Sequence, residues 1–125
     1  MGKQKMVKQK QSVPSDQEVL YDKLIATNPK IERKGDANPY TALNGNMFTL
    51  LHDSHLAIRL PEGPREEFLK KYKTKLYEAY GAVMREYVAV PDSLLAKTKE
   101  LQKYLALSYE YAKTLKPKPT TKKKA

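Results

Sequence analysis

The apolar positions change their period several times along the chain, and each change marks an element. In PSDQEVLYDKLIATNP, residues 14–29, Leu20 and Leu24 stand four apart with Val19 beside them and Ile25 near the end, the spacing of one helical face. Ser15 and Glu18 have capping-box spacing, so hydroxyl and carboxylate can each satisfy an exposed backbone N–H. Asn28-Pro29 closes the predicted helix. In NPYTALNGNMFTLL, residues 38–51, two β-forming runs flank Asn44-Gly45, the pair that most readily takes positive φ, which predicts a tight type I′ hairpin. After the polar turn His52-Asp53-Ser54, HLAIRL puts Leu56, Ile58 and Leu60 on one face, extending the hairpin into an antiparallel meander that ends at Pro61.

The next segment, REEFLKKYKTKLYEAYG, has Phe68, Tyr72 and Leu76 every four residues with Leu69 alongside. It predicts one helix, with Pro64 suited to a first turn and Glu66 and Glu67 near the positive end of the dipole. VMREYVAV then alternates as a further strand stopped by Pro91. The last helical pattern, DSLLAKTKELQKYLALSYEYAKTLK, aligns Leu101, Tyr104, Leu105, Ser108, Ala112 and Leu115 in one stripe. Pro117 and Pro119 end it near Lys116. The order helix, strands, helix, strand, helix predicts an α+β domain, a mainly antiparallel sheet covered by helices.

Composition narrows the picture. With 125 residues and 40% apolar side chains the chain is the size of one domain. It has no cysteine, which excludes disulfides, thiolate metal sites and a cysteine nucleophile and suits a reducing, cytoplasmic setting. No apolar run reaches signal-peptide or membrane-helix length, so no membrane association is expected.

The net charge of +10 resides in the ends. Residues 1–13 carry four lysines and no acid, residues 113–125 six lysines and no acid, and the stretch between has as many bases as acids. Basic tails at 1–13 and 117–125 are expected to be flexible around a domain at 14–116, keeping the chain in solution or else attracting polyanions without reading sequence.

Candidate chemistry is sparse. His52 and His55 bracket a turn with Asp53, but polar residues at a hairpin tip serve the turn itself, so no metal is expected. Five scattered glycines form no phosphate cradle, and Glu66-Glu67 fits a solvated helix start better than a catalytic dyad. Arg59 and Arg85 sit in strand patterns opposite the apolar face, suited either to a ligand surface or to cross-strand pairing with Glu86 or Glu62. Nine Tyr accompany two Phe and no Trp, with Tyr104, Tyr109 and Tyr111 together on the last helix, where they suit a partner interface or half-buried helix packing equally.

The segments NPYTALNGNMF, LAIRLPE, MREYVAVP and SYEYAKTLKPKP, in this order and spacing, resemble the TfoX/Sxy N-terminal domain-like family. The resemblance implies a two-layer α/β sandwich similar to type III secretion chaperones and YjbR-like proteins. It implies no catalytic residues and no cofactor; longer members are competence regulators with a second, C-terminal helical domain. The expectation is a non-enzymatic interaction or regulatory module that binds a protein partner or its own copy. The alternative is weak, sequence-independent nucleic-acid binding through Lys116, Lys118, Lys122, Lys123 and Lys124, helped by Arg59 and Arg85.

Overall fold

The computed structural model describes residues 16–35, 38–52, 55–79 and 81–117. Ser15, Asp53, the N-terminal basic segment, and Lys118 and Lys122 to Lys124 of the C-terminal one lie outside them. The described elements are α1 (Asp16–Ile25), β1 (Tyr40–Leu43), β2 (Asn46–His52), β3 (His55–Arg59), α2 (Glu62–Lys71), β4 (Leu76–Ala79), β5 (Ala82–Val90), α3 (Asp92–Leu95) and α4 (Thr98–Thr114). The five strands form one antiparallel sheet in the order β1-β2-β3-β5-β4, and the α+β architecture is that of a two-layer sandwich. Among the described residues no helix is long and apolar enough to cross a membrane.

The hairpin forms as the sequence predicts. Asn44 (φ 54°) and Gly45 (φ 80°) both take positive φ between the paired Leu43 and Asn46, as a type I′ turn demands. Leu56, Ile58 and Leu60 are buried on the helix-covered face, where they meet Tyr21, Leu24, Phe68, Val88, Leu101 and Leu105. Val19 departs from expectation. It is exposed, and Tyr21 takes its place in the core beside Leu24 and Ile25.

Tyr21 can be buried because its hydroxyl has partners. Its oxygen lies 2.7 Å from Thr49 Oγ1, which in turn lies 2.7 Å from Thr41 Oγ1, a chain of three hydroxyls sealed beneath α1. Thr49 reaches this chain through a β-bulge. Thr41 pairs with Thr49 but Ala42 pairs with Met47, so Phe48 is an extra residue in β2. The bulge places the consecutive side chains of Phe48 and Thr49 both on the helical side, Phe48 against the Tyr109 ring at 5.9 Å.

The predicted long helix after Pro64 is two elements. α2 stops at Lys71, and residues 76–79 are strand β4. Lys73 takes a left-handed φ of 52°, the Thr74 amide bonds Leu69 O at 3.1 Å, and the Lys73 amide bonds Lys70 O at 3.4 Å. This is a Schellman stop made with lysine where glycine is usual. The last helical pattern is likewise divided: Lys97 (φ −97°, ψ 74°) separates α3 from α4, a break that allows Leu94 and Leu95 to be buried together.

The other sheet face has its own apolar cluster of Leu50, Ala57, Tyr77 and Ala79. Tyr77 donates to the carbonyls of His52 and His55, 3.1 Å from each. The sheet edges are the two shortest strands, β1 and β4, and each pairs with its neighbour across a register shift. Part of β1 is further closed by an antiparallel bridge between Lys34 and Tyr40.

Candidate functional site

Both register irregularities supply residues to the same end of the sheet. Opposite the end of β4 the pairing jumps from Leu76–Val88 to Tyr77–Met84, so Arg85, Glu86 and Tyr87 of β5 have no partner in β4. On its other side β5 continues to pair, with Tyr87 opposite Arg59 and the Leu60 amide bonded to Glu86 O at 2.9 Å. Met47, at the β2 bulge, lends its carbonyl: Tyr87 donates to it at 2.7 Å and Arg59 Nη1 at 3.3 Å.

Arg59 is the hub. Its Nε donates to Glu86 Oε1 at 2.7 Å, and its guanidinium carbon lies 5.5 Å from the centre of the Tyr87 ring and 5.9 Å from that of Tyr111. Two aromatic faces and a carboxylate thus hold one planar cation, geometry that Arg meets and Lys does not. Tyr111, on the last turns of α4, closes the ring by donating to the other oxygen of Glu86 at 3.1 Å. Arg65 stands next to the group and donates to Leu60 O at 2.9 Å.

The electrostatics follow from these contacts. Partial burial opposes ionisation of Glu86, but the hydrogen bond and charge of Arg59, with the Tyr111 hydroxyl, hold its carboxyl below the ordinary value. Burial raises the phenol of Tyr87 against the opposing charge of Arg59. Burial, reinforced by the bond to Glu86, raises that of Tyr111. The cluster is therefore a fixed Arg⁺–Glu⁻ pair with neutral tyrosines at neutral pH. Within it the Glu86 carboxylate is held by Arg59 and Tyr111, and the Tyr87 phenol by Met47 O.

The residues singled out from the sequence divide accordingly. Arg59 and Tyr111 meet in the cluster, and of the two acids offered to Arg59 by the sequence, Glu86 is the one it pairs with, from the position next to Tyr87. Arg85 is exposed beside it on β5. Tyr109 is half-buried, packed on Phe48. Tyr104 is 8% exposed, edge-on to Phe68 at 4.9 Å, and so presents no free ring to a partner; it lies on the inward stripe of α4 with Leu101 and Leu105. Lys116 is exposed, and its carbonyl accepts from Asn46 Nδ2 at 2.9 Å, tying the end of the helical segment to the hairpin. Tyr87 had no signal of its own in the sequence; its alternation in VMREYVAV placed it on a strand but not beside Met47.

His52 and His55 face each other across the β2–β3 ladder, and His55 Nδ1 is 3.4 Å from Asp92 Oδ1 in a solvent-exposed pair. They border an open groove of about 590 Å³ with Tyr77 and Lys75. Among the described residues no three His, Asp or Glu side chains gather as metal ligands. A family model described as the TfoX N-terminal domain matches residues 41–112, from β1 to the last turns of α4. No curated protein matches the chain.

Proposed function

Because the chain belongs to the TfoX N-terminal domain family, we propose that it is a non-enzymatic interaction and regulatory module, acting in the cytoplasm by docking a protein through the Arg59–Glu86–Tyr87–Tyr111 end of the sheet. One observation carries this reading: a half-exposed cluster of Arg and Tyr is held rigid by its own internal bonds, so binding costs little side-chain entropy. Leu107, one helical turn before Tyr111, is among the large apolar side chains exposed on the surface, at 41%. It extends the patch along α4 with an apolar contact.

The test is site-directed photo-crosslinking in native cells, with a photo-reactive residue in place of Leu107 and, as the remote control, in place of exposed Glu66 on α2. The expected outcome is a discrete adduct from position 107 and none from position 66. An adduct of twice the chain mass identifies a second copy, and any other protein adduct a different partner. Equal adducts from both positions, or none from position 107, would overturn the reading.

A further inference from the structure

The body of the chain is neutral in total, but folding sorts its charges. The end of α2 and the turn after it carry Lys70, Lys71 and Lys73 without an acid. The start of α4 carries Lys97, Lys99 and Lys103 around a single acid, Glu100. All six lysines are exposed.

Aromatic contacts bring the two segments together. Phe68 and Tyr72 of the α2 end pack on Tyr104 of α4, with Tyr72 and Tyr104 centroids 6.0 Å apart. Lys71 Nζ sits 5.3 Å from the Tyr72 ring and Lys103 Nζ 5.4 Å from the Tyr104 ring. Glu100 accepts from the Tyr72 hydroxyl and lies 3.9 Å from Lys71 Nζ. The Tyr72 bond, opposed by slight desolvation and aided by the charges of Lys71, Lys97 and Lys103, keeps Glu100 below its ordinary value. Glu100 is thus committed to holding the two segments together, with Lys71, Lys97 and Lys103 around it, while the acids of α2, Glu66 and Glu67, lie one turn further back.

We propose that this lysine surface, formed by the end of α2 and the start of α4, binds the phosphate backbone of duplex nucleic acid without reading its sequence. Three features select that partner. The charges are all lysine, flexible point charges suited to phosphates and lacking the bidentate fork that reads bases. The rings of Tyr72 and Tyr104 are engaged with Phe68 and with each other, which ties up ring surface that a single-stranded base would need for stacking. None of the large apolar side chains exposed among the described residues, Val19, Val83 and Leu107, lies in either segment, so no anchor is offered to a bilayer. The surface is also separate from Lys116. α4 has 17 residues, so Lys116 lies about 25 Å away at its other end.

The experiment uses the full chain and fluorescence anisotropy with a labelled duplex of about 20 base pairs and arbitrary sequence, titrated between about 50 and 200 mM salt. The surface variant is Lys71→Gln/Lys99→Gln/Lys103→Gln and the tail variant Lys122→Gln/Lys123→Gln/Lys124→Gln. The surface variant is expected to bind about tenfold or more weakly at the lowest salt and to reduce the log–log salt slope by about 3, roughly 0.9 for each phosphate no longer neutralised. The tail variant is expected to change both less, and the surface variant should keep the parent's cooperative melt because Lys71, Lys99 and Lys103 are exposed. An unchanged Kd and slope in the surface variant would overturn the proposal. So would a tail variant that loses as much, or tighter binding of the parent to single strands, to phosphatidylserine vesicles or to polyglutamate.

Discussion

Replacing Thr49 with Val removes the middle hydroxyl of a buried chain of three while keeping nearly the same shape. In the parent, Thr49 Oγ1 stands 2.7 Å from both Tyr21 Oη and Thr41 Oγ1, and all three residues are fully buried. Without it, the phenol and the remaining threonine hydroxyl each lose their partner, at about 1 to 3 kcal/mol per unsatisfied group. Both remaining hydroxyls were bonded to the same Thr49 oxygen, so a direct contact between them can recover part of this loss. The expected cost is about 2 to 4 kcal/mol. Tyr21→Phe, by contrast, removes an end of the chain and leaves Thr49 paired with Thr41, for about 1 kcal/mol. The combination Tyr21→Phe/Thr41→Val/Thr49→Val strands no polar group and should return to within about 1 kcal/mol of the parent, since replacing every partner by an apolar group of the same shape is nearly neutral. Urea unfolding followed by far-ultraviolet circular dichroism, with m-values held in common, measures all three. A triple variant less stable than Thr49→Val alone, or Thr49→Val milder than Tyr21→Phe, would refute the argument that the penalty lies in unsatisfied hydroxyls.

Three further outcomes are expected. Gly45→Val forces a β-branched residue to φ near 80° and should lose about 1 to 3 kcal/mol, whereas Asn44→Asp should stay within about 0.5 kcal/mol, both read by thermal melts. Arg59→Lys retains the charge but loses the planar fit between Tyr87 and Tyr111; a melting temperature as low as that of Arg59→Met would show that the ring faces matter more than the charge. Glu86 has a lowered folded pKa, so its contribution to stability is present above the ordinary carboxylate value of 4.5 and lost as pH falls through the folded value. Melts from pH 7 down to about 3 should therefore decline more steeply for the parent than for Glu86→Gln.

Much of the fold was legible because it rests on short-range signals. Asn44-Gly45 announces its turn, and alternation at Leu56, Ile58 and Leu60 announces the buried face of β3. The helix read through Tyr72 and Leu76 fails for a local reason. The stop after Lys71 uses Lys73 in the left-handed region, and without glycine there the four-residue recurrence of apolar side chains continues past the true helix end. The competing signal was the Leu76–Ala79 segment running into Gly81, which has a φ of 77° at the following hairpin. The candidate site was half legible. Glu86 was one of two acids the sequence offered to Arg59, but Met47 O and Tyr111 reach Arg59 through a bulge and a helix docking that no local pattern encodes. Tyr104 and Tyr111 look alike in sequence, and only their positions around α4 separate a core ring from a surface one.

The short, irregular strands at the two margins of the sheet restrict how this domain can join others. An incoming chain would find only four residues on either flank, each already twisted by a change of register, and on one flank Lys34 and Tyr40 have bonded to each other. Strand-by-strand growth is therefore disfavoured at both margins, which works against fibre formation. Assemblies built from this domain must instead meet through helix surfaces or through the ends of the strands, and such contacts can close after one partner has docked rather than propagate.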